Sequence, residues 1–170
     1  MKRMIRGFGF AVSFLAISAT AQQGTPPTLS KVVTEGLEDV GRKLVEMAQE
    51  FPEDKYNYRP SPEVRTFAEQ LLHAATGNVY LAKVAHGEKA KWTELSRDKY
   101  PTKADIVTVL KQSSNDVSSA LKTKGDELVK ARPDVWIGVL EHAGEHYGQL
   151  VVYYRLNGIV PPESRPKPKS

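Results

Sequence analysis

At 170 residues the chain has the length of one domain with a sizeable core, and 40% hydrophobic with 26% charged residues excludes wholesale disorder. It contains no cysteine, which excludes disulfides, thiolate metal sites and cysteine nucleophiles together and leaves histidine as the borderline-soft metal ligand. The formal net charge of +4 is partly the property of the N-terminus alone.

Lys2, Arg3 and Arg6 form a basic start, Phe8 to Ile17 a short apolar run, and Ala19-Thr20-Ala21 the small residues of a cleavage site. That order predicts a signal peptide over residues 1–21, cut after Ala21, and hence export to the periplasm or the extracellular space. The apolar run is short for a bilayer span, so no membrane span is expected in the mature protein; a retained anchor is the alternative. Removing three positive charges takes +4 to +1. No basic patch with interleaved aromatics is then left, and no nucleic-acid partner is expected.

Residues 22–30 read as a polar lead-in. From Lys31 to Glu50 the apolar positions Val33, Leu37, Val40 and Leu44 recur at helical spacing, with Thr28 or Ser30 as N-cap and Pro52 as the stop. Phe51 to Pro62 is a loop rich in proline and tyrosine. A second helix is predicted from about Glu63 to His86, started by Ser61-Pro62 and ended by Gly87. The polar stretch Glu88 to Pro101 has only Trp92, Leu95 and Tyr100 as packing anchors. Thr102 caps a third helix, Lys103 to Lys130, which Arg132-Pro133-Asp134 breaks. The fourth helix runs from near Val135, where Trp136 plugs its start, to Asn157-Gly158. Residues 161–170 are a proline- and lysine-rich tail. No alternating strand pattern occurs. The expected fold is therefore all-α, an antiparallel four-helix bundle over residues 31–160.

Three histidines carry the functional signal. His142 and His146 are four apart, so on a helix their imidazoles are neighbours on one face and can share an ion. His73 sits in a segment that also reads as helix and can supply a third nitrogen. Three neutral nitrogens leave coordination positions open, the pattern of a reactive site. If the pair faces inward, its stripe includes Gly138, Glu145, Gln149 and Tyr153, and the matching stripe on the second helix holds Glu69, His73, Gly77 and Tyr80. Polar groups on such a face are costly unless they are paired or bind something. The alternative is a pair of surface histidines on an amphipathic helix. Gly144 and Gly148 suggest close approach of another helix or room for a ligand. His86 stands apart at a helix end. Glu145 is the candidate proton acceptor, with Glu69 as another. The order H-x-x-E-H also occurs in inverted zinc-protease motifs, a competing assignment.

Three stretches resemble a known family. Pro52-Glu-Asp-Lys-Tyr-Asn-Tyr58-Arg59-Pro60, Thr66-Phe-Ala-Glu-Gln-Leu-Leu-His73, and His142-Ala-Gly-Glu-His146-Tyr-Gly148-Gln149 with its Gly158-Ile-Val-Pro-Pro162 exit are similar to the DinB-like (YfiT-like) metal-binding four-helix proteins. The resemblance spans Lys31 to Pro162 and implies a three-histidine site of His73, His142 and His146 for a divalent ion, zinc or nickel. Tyr147 stands where the family commonly has arginine. Family activities include thiol-dependent S-transfer and isomerisation. Two functions of different kinds follow as expectations. One is an exported metal-dependent hydrolase or thiol-type S-transferase acting on a small-molecule substrate of unknown identity. The other is a non-catalytic metal-binding or interaction module on the same bundle. A homodimer is left open.

Overall fold

Helix ends in this chain are set by side chains that satisfy the orphan backbone groups of the first and last turns. The structure, a computed structural model, describes residues 25–166. The signal peptide expected over 1–21 and the last residues of the tail lie outside those residues. Helix α1 (Leu29–Glu50) starts at Thr28, whose hydroxyl accepts from the Lys31 N–H at 3.3 Å. It stops before Pro52, and a short 3-10 turn, Glu53–Lys55, follows.

Helix α2 (Phe67–Ala85) begins later than the expected start near Glu63. The cause is a reciprocal cap: Thr66 Oγ1 accepts from the Glu69 N–H at 3.2 Å, and the Glu69 carboxylate accepts from the Thr66 N–H at 2.7 Å. Ser61-Pro62 makes a turn instead, in which the Val64 N–H donates to Ser61 O at 3.2 Å. Gly87, at φ +77°, closes the other end of α2.

Helix α3 (Lys103–Lys124) carries a second capping box, Thr102 with Asp105. It is shorter than the expected run to Lys130, because Gly125 turns left-handed at φ +65° and a separate helix, α4 (Asp126–Ala131), follows. Asp126 then accepts the Ser30 N–H at 2.8 Å, tying α4 to the first turn of α1. Helix α5 (Pro133–Leu156) includes Pro133 in its first turn, where a missing N–H costs nothing; the proline starts this helix as well as ending the one before.

Among the described residues there is no strand, and α1, α2, α3 and α5 form a four-helix bundle. Gly41 meets Ser114 and Glu38 pairs with Lys122, so α1 and α3 run antiparallel. Gln70 meets Gln149 and Gly77 meets Val139, so α2 and α5 do too. The other two neighbouring pairs are parallel. Gly36 faces Leu140 while Met47 O takes the Tyr154 hydroxyl, and Ala85 and Lys124 meet at the shared C-terminal end of α2 and α3. The bundle expected as antiparallel is thus up-down-down-up. Residues 86–102 form the long crossover that two consecutive parallel helices require.

Two apolar clusters fill the interior. One gathers Phe51, Phe67, Leu71, Ile106 and Tyr154; the other gathers Leu81, Val117, Leu121, Val129 and Trp136. Trp136 is fully buried and its indole N–H donates to Leu128 O at 3.2 Å, so it anchors the start of α5 to α4. The described part of the tail is held on α1, where Glu163 pairs with Arg42 at 2.7 Å. No helix among the described residues is long and apolar enough to cross a membrane.

Because Thr66 fixes where α2 begins, Thr66→Ala should lower stability by about 1 kcal/mol in urea unfolding, with an unchanged m value. A loss well below that would mean the cap does not hold the helix start.

Candidate metal centre

The triad is built on the antiparallel seam of α2 and α5. His142 and His146 are one helical turn apart on α5, and His73 projects from α2 across the seam. His142 Nε2 lies 3.2 Å from His73 Nε2 and 3.0 Å from His146 Nε2, and the three nitrogens all lie within 4.8 Å of one another. His146 is buried, and the other two are half-buried. Tetrahedral ligands about 2.0–2.1 Å from zinc stand about 3.3–3.4 Å apart, so this donor set needs only small shifts to hold one divalent ion.

The groups behind the imidazoles orient them. Glu94 Oε2 lies 2.8 Å from His73 Nδ1, and Gln149 Oε1 lies 2.9 Å from His146 Nδ1. An acceptor at Nδ1 selects the Nδ1–H tautomer and leaves the Nε2 lone pair facing the centre. Gln70, buried on α2, packs its amide against the same His146–Gln149 pair. His142 Nδ1 is buried without a hydrogen-bond partner. What fixes that ring is packing: a Cβ on Gly77 would come within 3.2 Å of both His142 Nδ1 and Val139 Cγ1. Glycine at 77 is what lets α5 come this close.

The crossover covers the outer side. Trp92 sits with its ring centroid 5.3 Å from His142 and 5.8 Å from His73, and its indole N–H donates to Glu94 Oε1 at 2.9 Å. The Leu95 N–H donates to Thr76 Oγ1 at 3.1 Å, pinning this stretch to α2. Trp92 is therefore a half-exposed wall of the site rather than the packing anchor expected.

Burial, and after it the charge on His73, lowers the pKa of His142. Burial, then His142, pushes His146 down to about 4. Both imidazoles are thus neutral, as metal ligation requires. Partial burial pushes the Glu94 carboxyl up, but the hydrogen bonds from Trp92 and His73 outweigh it and hold it below the ordinary value.

The structure thus brings together His73, His142 and His146 as expected, with Gln149 beside them. It does not bring Glu145 to them. Glu145 is exposed, one residue before His146 and so about 100° round the helix. Gly138 is exposed as well, so neither belongs to the inward stripe. Glu69 is engaged in the Thr66 cap and pairs with Arg59. The carboxylate at the triad is Glu94, which no helical periodicity could reveal. Tyr147 faces α1, where the Lys43 ammonium lies 5.5 Å from its ring centroid. A Cβ on Gly144 or Gly148 would have no described atom within 4 Å, so no helix approaches closely there.

Residues 37–150, which include all three histidines, match the sequence model of the DinB superfamily. No curated protein matches the chain.

Two outcomes follow. Gly77→Ala should push His142 out of line and weaken metal binding by tenfold or more in a chelator-competition titration, although alanine favours helix by about 1 kcal/mol. In the metal-free protein, the unfolded chain takes up protons at His142 and His146 below their ordinary 6.5, whereas folded His146 resists to about 4. Their contribution to stability is therefore intact above that ordinary value and lost as pH falls toward the lower one. Thermal midpoints should decline across that window in wild type, and less so in His146→Ala.

Proposed function

Since the chain belongs to the DinB superfamily, we propose that it is an exported protein that holds one divalent ion, zinc or nickel, on His73, His142 and His146, and that it is a metal-dependent hydrolase or transferase for a small molecule. The observation that supports this most is the convergence of three imidazole nitrogens, two of them oriented from behind by Glu94 and Gln149. A divalent ion supplies Lewis acidity to such a site.

The chain's own residues do the rest. Glu94 and Gln149 keep two Nε2 atoms unprotonated and aimed inward, and Gly77 admits the third ring. Trp92 shields the outer side from water. Glu94 rather than Glu145 is the carboxylate beside the triad, and its role is to position His73 by accepting from the Nδ1–H. Export is supported by Lys2, Arg3 and Arg6, the apolar run after them and Ala19-Thr20-Ala21. Intact-mass analysis of the exported fraction should show a chain that starts at Gln22; a retained Met1 there would end the export proposal.

Elemental analysis of tag-free protein tests the centre. Wild type should carry one equivalent of a divalent metal. His142→Ala should carry far less while keeping its helical circular dichroism, because the two apolar clusters rather than the ion hold the bundle. A metal-free wild type would sink the proposal. Turnover of ester and thiol–electrophile panels, with His73→Ala as control, separates the enzyme from a non-catalytic metal-binding module.

A further inference from the structure

Arg65 is the residue just before the Thr66 cap of α2. Its backbone is clamped: Arg65 O accepts the Tyr153 hydroxyl, and Thr66 next to it is held in the capping box. Its guanidinium has no hydrogen bond or ion pair among the described residues. Every other arginine among the described residues has one: Arg42 with Asp39, Arg59 with Glu69, Arg97 with Tyr100 O, Arg132 with Asp134, Arg155 with Ser164 and Arg165 with Glu50. An exposed guanidinium on a fixed backbone, without a partner among the described residues, is available to an anion from outside the chain.

Its position says which anion. Arg65 lines a cavity of about 680 Å³ whose inner wall includes Gln70 and Gln149, the two amides that touch His146. Glu94, which touches His73, borders Arg65 as well, so the guanidinium and the triad share one neighbourhood. Two exposed apolar side chains, Val64 and Val152, line the same cavity. On its other side Arg65 borders a second hollow where Arg59, Arg65 and Arg97 face Glu63, Glu69, Glu94 and Asp98, and there Arg59 and Arg97 already have partners. The first cavity has one acidic residue, Glu63, against one unpaired cation.

We propose that this cavity is the substrate subsite of the centre, and that it takes an amphipathic carboxylic acid whose carboxylate pairs with Arg65 while its apolar body lies on Val64 and Val152. One guanidinium with Glu63 nearby matches a monoanion better than a dianion, and the bidentate geometry of guanidinium suits a carboxylate. Arg65 is then a specificity-determining residue. This assignment rests on the proposed metal-dependent function for the word substrate, but the binding itself does not need the ion.

The test uses 3-phenylpropionate and its uncharged amide as probes, titrated by ligand-observed NMR into the full chain as purified and after EDTA treatment. The acid should bind wild type at millimolar concentration in both states, and the amide much more weakly. Arg65→Gln should weaken the acid by about tenfold or more and leave the amide, the circular dichroism and the metal content unchanged, whereas Arg65→Lys should recover part of the loss. No binding of the acid to wild type, equal affinity for acid and amide, or an acid affinity indifferent to Arg65→Gln would overturn the subsite. Loss of all acid binding on EDTA treatment would also overturn it, since the carboxylate would then have been held by the metal. Arg65-dependent binding to a wild type that carries no metal would uphold the subsite while refuting the proposed metal-dependent function.

Discussion

The closeness of α2 to α5 at Gly77 is the constraint on which the rest of the site depends. One helix can offer two imidazoles at i and i+4, and a third must come across a seam. Backbones a methyl group farther apart would leave His73 short of the pair or force His142 aside. Rotation matters as much as distance, because one residue of slip on either helix turns its histidines by about 100°. The slip is prevented from both ends. The Thr66–Glu69 box fixes the first residue of α2, and Tyr153 on α5 reaches back to the residue before that cap.

Three imidazoles gathered in a helix interface are a poor way to fill a core. Burial keeps His142 and His146 neutral, and His142 Nδ1 remains without a partner, at a cost of about 1–3 kcal/mol for an unsatisfied buried group. The bundle bears this because two apolar clusters, around Phe51–Phe67–Tyr154 and around Leu121–Trp136, hold it together; Leu72, Ala74 and Ala143, next to the histidines in sequence, belong to the first.

The helices and the triad were legible in the sequence because both depend on a period of about 3.6 residues, which a single chain displays openly. The misplaced boundaries were those where two local signals competed. Ser61-Pro62 and Thr66-x-x-Glu69 are both plausible helix starts, and only the reciprocal bonds of the second decide between them. Gly125 was read through because no proline backs it, yet its left-handed backbone ends α3. Glu145 was attractive because it adjoins His146 in sequence, but adjacency in a helix points side chains apart. Glu94 and Trp92 could not be ranked at all, since crossover residues follow no period and their placement depends on Thr76 and His73, some twenty residues upstream. Arg65 was hidden for a different reason: an exposed arginine is ordinary, and only the pairing of the others makes this one distinct.

The crossover joining parallel α2 and α3 has a further consequence. A chain that must travel the length of the bundle to begin its next helix in the same direction needs a long connection, and here that connection supplies Trp92 and Glu94. Loop closure grows only slowly in cost, by about 0.6 kcal/mol for each doubling of length. Insertions and replacements in residues 86–102 can therefore accumulate without disturbing either apolar cluster, while each one changes what stands over the three histidines. The helices hold the three nitrogen atoms in place while the crossover supplies what stands over them, so the surroundings of the histidines can be altered without moving the histidines themselves.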